Sequence, residues 1–340
     1  LQQLGRAGGA RRSVPQGGVN SARMTPLATR TRRAAELLAR LVAIDTTNPM
    51  GRTPSRRAPV ERDAIIAIEE LLAPHADRVS LLRQPCSPQH ESLIIRWPVA
   101  SSRRPALFES HVDTVPGDAW ADRAWRPRKV GDRLVGLGAC DDKGSLTAML
   151  LALVELLEQG VEPPRPIVLM AAGDEEYAQT GINRFLEEYP DPLAYGVFGE
   201  PTGLVPIVQH KGIVRWDITV HGRSAHTSRP ELGLNAIVGM TEVIAELRAH
   251  EQTLQDRARS TLLTGPTITV TQIQGGRTRN ATPDECTIAV DFRVTPGMNP
   301  TAERDAVIER LSSLPWSVSH SPVQLMSERP LNRILARGLR

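Results

Sequence analysis

Histidine and acidic side chains recur along the chain in patterns that could hold divalent metal ions. His111 and Asp113 follow a short apolar run, and residues two apart on an extended chain point the same way. A neutral imidazole binds a metal, and a nearby carboxylate can hold its other N–H and fix the tautomer. Taken alone, the pair fits a surface loop with two polar residues equally well.

A glycine-rich turn, Gly136–Gly144, leads into a predicted helix and contains Asp141. Such a turn could bind a phosphate at the helix N-terminus, but it lacks the Walker spacing and Lys143 is not followed by Ser or Thr. Asp141 could instead supply a carboxylate to a metal. Simple capping of the helix by acidic residues is the third explanation, and this segment alone favours it.

Three consecutive acids, Asp174, Glu175 and Glu176, follow the apolar run 167–171, and Glu200 follows the next such run. Adjacent carboxylates repel one another unless a cation offsets their charge, and one of them can then serve as a general base to water. A solvated acidic turn is the simpler explanation of the three acids in isolation.

The elements that must position these residues alternate between strands and helices, which predicts an α/β fold with a mostly parallel sheet. The predicted strands are 93–97, 106–109, 167–171 and 195–198, and the predicted helices are 33–43, 65–72 and 145–159. The candidate ligands at or after strand ends are His111, Asp141, Glu175, Glu176 and Glu200. Open α/β sheets bind ligands at this edge, and one histidine with several carboxylates suits Zn²⁺, Co²⁺ or Mn²⁺.

The pattern changes after Glu200 to long alternating strands and two helices, which predicts a compact α+β sandwich. The predicted strands are 213–220, 267–273 and 286–294, and the predicted helices are 237–247 and 305–314. We predict that this sandwich, 207–316, is inserted into a metal-binding domain made of 33–206 plus 317–340. Residues 1–32 are predicted to be a disordered tail or upstream sequence.

Composition narrows the possible partners. The length of 340 residues allows two domains. Seven arginines and no acid in residues 1–33 account for the net charge of +3, so the basic balance does not indicate nucleic acid. Three scattered cysteines offer no disulfide framework and favour a reducing cytoplasm. No run approaches the ~20 apolar residues of a membrane span.

In chain order, the motifs resemble those of the M20 metallopeptidase and amidohydrolase family. They are Ser-His-Val-Asp-Thr-Val-Pro (110–116), Gly-Leu-Gly-Ala-Cys-Asp-Asp-Lys-Gly (136–144), Asp-Glu-Glu (174–176), Gly-Glu-Pro-Thr (199–202) and His-Lys-Gly (210–212). The family includes acetylornithine deacetylase, succinyl-diaminopimelate desuccinylase and glutamate carboxypeptidase. The resemblance spans roughly residues 33–330 and implies a di-metal catalytic domain with an inserted dimerisation and lid domain.

The resemblance also implies a role for each matching residue. The implied metal ligands are His111, Asp141, Glu176 and Glu200, with Asp141 shared by two divalent ions, Zn²⁺ first and Co²⁺ or Mn²⁺ as alternatives. Asp113 would orient His111. Glu175 would be the general base that moves a proton from water to the leaving amine.

Three further residues would act on the substrate if the resemblance extends to them. His226 would reach into the active site of a partner subunit and stabilise the oxyanion. Asn280 would lie near the substrate, and Arg329 would pair with a substrate carboxylate. Each could instead be an ordinary surface residue. The implied partners are a second copy of the chain and a small N-acyl amino acid or peptide-like substrate, without nucleic acid or membrane.

The leading hypothesis is therefore hydrolysis of the amide bond of an N-acyl amino acid, as in the acetylornithine deacetylase and desuccinylase branch. A dipeptidase or carboxypeptidase is the runner-up, and a truncated, non-catalytic dimerising relic is the alternative of another class. Family members normally continue past the equivalent of Arg340 and supply a further histidine ligand, whose motif His320 does not match. We expect a C-terminally truncated chain with weak or no activity.

Overall fold

The chain forms two sheets, each covered by helices, and a two-stranded ribbon between β3 and α3. The computed structural model describes residues 25–52, 58–257, 263–322 and 324–326. The elements before residue 200 are α1 (Leu27–Val42), α2 (Arg62–Leu72), β1 (Ser80–Ser87), β2 (His90–Trp97), β3 (Ala106–His111), β4 (Arg128–Val130), β5 (Arg133–Val135), α3 (Lys143–Glu158), β6 (Ile167–Ala172), α4 (Thr180–Glu188) and β7 (Tyr195–Phe198). The later elements are β8 (Gly212–His221), α5 (Ala236–Arg257), β9 (Thr267–Gly275), β10 (Glu285–Val294), α6 (Pro300–Ser312), β11 (Ser317–His320) and β12 (Gln324–Met326).

The first sheet is the middle layer of three, in the strand order β1-β2-β6-β3-β7. Side chains alternate between its faces, as the pleat requires. Leu93 and Ile95 pack with helices α1, α2 and α3 on one face. Ile94 packs with Phe185 of α4 on the other face. Because both faces are covered, these strands read as continuous apolar runs, which is why the sequence reveals them.

The first sheet is mixed rather than mostly parallel. β3 runs parallel to β6 and β7, as predicted, but β2 runs antiparallel to both β1 and β6. The short connection Pro88–Gln89 makes β1 and β2 antiparallel, since a two-residue link can join only antiparallel strands. The antiparallel pairing of β2 with β6 makes the sheet mixed. The three parallel strands place their carboxyl ends at one edge, and that edge holds the candidate ligands.

The second sheet has the order β11-β8-β10-β9, with β12 also pairing with β8, and all its pairings are antiparallel. Its buried face packs against α5 and α6. β8 shows the alternation clearly, since Trp216 and Ile218 are buried while Arg215 and Asp217 point outward. This two-layer arrangement is the α+β sandwich that the sequence predicts.

Two predicted boundaries differ from the structure. Helix α1 begins at Leu27, so the end of the predicted tail 1–32 is helical. β11 and β12 join the second sheet through β8, so the described part of 317–340 does not return to the first sheet. The edge of β8 offers unpaired backbone groups that these short strands satisfy. Within the described residues, no helix combines the length and apolar content needed to cross a bilayer.

Lys143 fastens the start of α3 to the end of α1. Its Nζ donates hydrogen bonds to the carbonyl oxygens of Leu41, at 3.0 Å, and Ile44, at 2.9 Å. These carbonyls lie at a helix end, where intrahelical donors run out, although the Leu41 oxygen also accepts the backbone N–H of Ile44 at 3.2 Å. The side chain is only 1% exposed, and burial lowers the pKa of Lys143 to about 8. The loop after α1 is thereby fixed against the glycine-rich turn.

Replacing Lys143 with alanine is expected to lower the free energy of unfolding by about 2 kcal/mol, because it leaves a cavity and removes one hydrogen bond from each of two buried carbonyls. Urea denaturation followed by circular dichroism measures the change. The matched control is Lys129→Ala, since Lys129 is exposed on β4, and a surface substitution of this kind stays within about 0.5 kcal/mol. Equal losses in the two variants would contradict the assigned role.

Candidate metal centre

The candidate ligands meet at the carboxyl edge of the three parallel strands. His111 ends β3, the acids 174–176 follow β6, and Glu200 follows β7. Parallel pairing of these strands brings all three ends to the same edge. Asp141 arrives from the glycine-rich turn before α3, where Gly138 adopts a φ of 75° that favours glycine.

His111 is buried and held at both ring nitrogens. Its Nε2 lies 3.0 Å from Oδ1 of Asp141. Its Nδ1 lies 2.9 Å from the backbone carbonyl oxygen of Asp113 and 3.6 Å from that residue's carboxylate. Burial opposes the charged ring, but the contacts with Asp113 and Asp141 outweigh it and raise the pKa of His111 to about 12. The sequence predicts that the Asp113 carboxylate orients the ring, whereas its carbonyl makes the shorter contact.

The main hydrogen bonds of the Asp113 carboxylate fix the position of the acidic turn, residues 174–176. It is fully buried, and its two oxygens accept hydrogen bonds from the backbone N–H groups of Glu175, at 3.1 Å, and Glu176, at 3.2 Å. One side chain therefore links the end of β3 to the residues after β6. The relative placement of His111 and the two glutamates follows from that link.

The structure brings all five candidate side chains together. Two groups of three have ligand atoms within 4.8 Å of one another, and both include His111. The groups are His111, Asp141 and Glu176, and His111, Glu175 and Glu200. Glu175, predicted to act as a base, thus lies as close to the other donors as the predicted ligands do. A further hydrogen bond, from Nε2 of Gln179 at 3.0 Å, holds its carboxylate.

The donor set suits divalent cations because it concentrates negative charge. Among the described residues, no Lys or Arg forms an ion pair with Asp141, Glu175, Glu176 or Glu200. Burial and the neighbouring acids raise the pKa of Glu176 to about 7. Partial desolvation and the nearby Glu175 likewise raise the pKa of Glu200 to about 7. Metal ions would offset this repulsion and keep the carboxylates ionised.

The glycine-rich turn does not serve as a simple cap or a phosphate loop. Asp141 directs its carboxylate to His111. Asp142 stands at the N-cap of α3 but makes no side-chain capping bond. It is buried and accepts a hydrogen bond from the hydroxyl of Ser110. Sequence reasoning missed Asp142, because only the neighbouring Asp141 was assigned as a candidate ligand.

The other predicted site residues do not join this cluster. His226 is exposed, with its Nδ1 2.8 Å from Oγ of Ser228. Both His226 and Asn280 lie in the α+β sandwich built on the second sheet, which we call the second unit. A short antiparallel bridge to Ala281 brings His226 beside Asn280, and the carbonyl of Asn280 accepts the N–H of Thr227. Arg329 lies outside the described residues. The roles of these three residues remain predictions.

Sequence profiles of two peptidase families match the chain. That of the M20 peptidase dimerisation domain matches residues 208–315, and that of peptidase family M28 matches residues 92–197. Acetylornithine deacetylase from Vibrio cholerae is 32% identical over 240 residues, which cover 68% of this chain and 62% of that relative. Through this relative and the dimerisation-domain match, the chain is similar to M20 family metallopeptidases. It spans less than two thirds of the length of that relative.

Solved structures of M20 family proteins share the fold of this chain. An M20 family metallo-carboxypeptidase from Sulfolobus solfataricus has a TM-score of 0.67 at 18% identity, covering 84% of this chain and 77% of that one. A Bacillus subtilis protein described as a dinuclear metal binding peptidase from the M20 family has a TM-score of 0.56 at 12% identity, covering 87% and 74%. At such identities the likeness concerns the fold.

Metal binding to this chain is expected to release protons and to weaken as the pH falls from 8 to 6. His111 is protonated in the metal-free protein, with its pKa at about 12, and Glu176 and Glu200 take up protons near pH 7. All three must lose protons to bind a metal. Calorimetric titration with Co²⁺ in buffers of different ionisation enthalpy counts the protons. An affinity that is the same at pH 6 and pH 8 would contradict the expectation.

Proposed function

We propose that this sequence belongs to an enzyme that hydrolyses the amide bond of an N-acyl amino acid with two divalent metal ions. The observation that carries the proposal is the pair of overlapping three-residue groups that share His111 at the edge of the first sheet. A phosphate loop or a solvated acidic turn would not bring acids from three separate segments to one imidazole.

Four residues would hold the two metal ions of the proposed centre. Asp141 would be shared by both ions, His111 and Glu200 would hold one, and Glu176 would hold the other. When bound, such ions polarise the scissile carbonyl and lower the pKa of water. The native pair is proposed to be Zn²⁺, with Co²⁺ or Mn²⁺ able to replace it.

Glu175 is proposed to move the proton in this reaction. It takes a proton from the attacking water and passes it to the nitrogen of the leaving amine, so the amine departs neutral. Its fixed backbone supports this role, because the N–H of Glu175 is bonded to the buried Asp113. The hydrogen bond from Gln179 restricts the carboxylate as well.

Replacing Glu175 with glutamine is expected to lower kcat by a factor of roughly 10²–10⁴, the usual range for loss of a general base. Because Glu175 also lies near the donors, Co²⁺ binding is measured in the same samples, and the variant should keep its metal. The matched control is Glu187→Gln, an exposed glutamate on α4, which should leave kcat unchanged. Full turnover by the Glu175→Gln variant would remove Glu175 from the mechanism.

The second unit is proposed to form a homodimer and to complete the site of the partner. The match of residues 208–315 to a dimerisation domain supports the dimer. The exposed position of His226, next to Asn280, supports a role at a surface rather than inside its own subunit. In the partner's site, His226 would stabilise the oxyanion. Asn280 would lie near the substrate and Arg329 would pair with a substrate carboxylate.

Mixing two inactive variants tests the shared site. In a mixed dimer of Glu175→Gln and His226→Ala chains, one of the two sites has both residues intact. Random pairing should then restore about a quarter of the wild-type turnover, given a twofold symmetric dimer. The control is each variant alone under the same unfolding and refolding, which should remain inactive. No recovery in mixed dimers of proven composition would show that His226 acts within its own subunit, and an active His226→Ala chain would show that it does not act at all.

The substrate class is tested by counting metals per subunit and measuring turnover on N-acetylornithine, other N-acyl amino acids and dipeptides. Metal together with cleavage of N-acyl amino acids supports the proposal. Cleavage of dipeptides alone would assign the runner-up peptidase function. A dimeric chain without metal or turnover would favour the non-catalytic relic.

A further inference from the structure

A second set of buried polar side chains lies directly behind the candidate ligands. We call it the inner polar cluster, and it consists of Asn48, Glu61, His90 and Asp174. None of the four is more than 5% exposed. They come from the loop after α1, the residue before α2, the first residue of β2 and the turn after β6. The proposed reaction uses none of them.

Asn48 connects two carboxylates that belong to different strands. Its Nδ2 donates to Oδ2 of Asp113, at 2.8 Å, and to Oδ1 of Asp174, at 3.0 Å. A side-chain amide nitrogen carries two N–H groups, so one residue can serve both acceptors. The loop that carries Asn48 is itself fixed, because its backbone pairs with Thr114 just past β3.

Asp174 sets the direction of the acidic turn. Its φ of 62° lies in the left-handed region, which is uncommon for residues other than glycine although aspartate adopts it more often than most. Hydrogen bonds at both carboxylate oxygens hold this conformation. Oδ1 accepts from Asn48, and Oδ2 accepts from the hydroxyl of Thr180 at 2.6 Å. Since Glu175 and Glu176 follow directly, a change at Asp174 would re-aim both.

His90 lies between two acids. Its Nδ1 is 2.7 Å from Oε1 of Glu61, and its Nε2 is 3.6 Å from Oδ1 of Asp174. The other oxygen of Glu61 accepts the backbone N–H of Glu91 at 3.1 Å. The packing is tight, because a Cβ on Gly173 would lie 3.0 Å from the Glu61 carboxylate. Position 173, directly before the acidic turn, therefore has no room for a side chain.

Stability alone does not account for the cluster. Burying charged groups costs desolvation energy, and apolar side chains of similar volume often stabilise a core as well or better. The polar contacts of the cluster instead lead to Asp113 and to Asp174, the first residue of the acidic turn. Groups that hold metal ligands in place from behind commonly change metal affinity when they are altered.

We infer that the inner polar cluster positions Asp113 and the acidic turn, and so sets the affinity and coordination geometry of the metal centre. The inference rests on the proposed metal-dependent function. His90 and Glu61 act through Asp174, and Asn48 acts on both Asp174 and Asp113. They are positioning residues, because they touch neither substrate nor metal.

The test titrates the full chain with Co²⁺ alone and records its visible absorption spectrum and its dissociation constant by chelator competition. The variants are His90→Gln and Asn48→Leu, which remove the two links by different chemistry. Each should weaken Co²⁺ binding by ~10–100-fold and shift the absorption bands at saturation. The matched control is His250→Gln, since His250 is also buried but lies on α5 of the second unit. It should bind Co²⁺ like the wild type.

Thermal unfolding of the metal-free proteins separates positioning from general support of the fold. Variants that unfold at the wild-type midpoint but bind Co²⁺ weakly, with shifted bands, support the inference. Variants that bind Co²⁺ with unchanged affinity and spectrum overturn it, whatever their unfolding midpoint. If Asn48→Leu does not fold, His90→Gln decides alone. Absence of Co²⁺ binding by the wild-type chain would overturn the proposed metal centre itself, and this inference with it.

Discussion

Repulsion among carboxylates is the constraint on which the site depends. Asp141, Glu175, Glu176 and Glu200 surround one imidazole, and among the described residues no Lys or Arg offsets them by an ion pair. Such an arrangement persists without metal only if the backbone holds it. The fully buried Asp113 does so by accepting two backbone N–H groups of the acidic turn. Lys143 and Asn48 then fix the segments on either side.

The first sheet could be predicted where its strands are buried on both faces, as in β2, β3 and β6, because continuous apolar runs mark such strands. β1 was missed because its residues are mostly part exposed and include Arg83, Gln84 and Pro85. The hairpin that joins β1 to β2 was missed with it. Helix α4 was missed as well, since only Gly181 and Phe185 of its nine residues are buried.

The ligand cluster could be predicted because parallel strands bring their carboxyl ends to one edge, independently of the loop conformations. The hydrogen bonds of the inner polar cluster could not be predicted. Asn48 stands 126 residues before Asp174, and a polar loop containing an asparagine gives no sign of which carboxylates it meets. The carbonyl contact of Asp113 to His111 was equally hidden, since side-chain patterns say nothing about backbone acceptors.

The bridge between Asn48 and Asp174 also bears on the order of folding. A contact over such a sequence separation closes a long loop, and long loops form late. During synthesis, the amide of Asn48 can meet both acceptors only after β6 and the turn that follows it have been made. The entropy cost of closing this loop favours assembly of the centre on a sheet that is already in place, rather than a centre that acts as the folding nucleus.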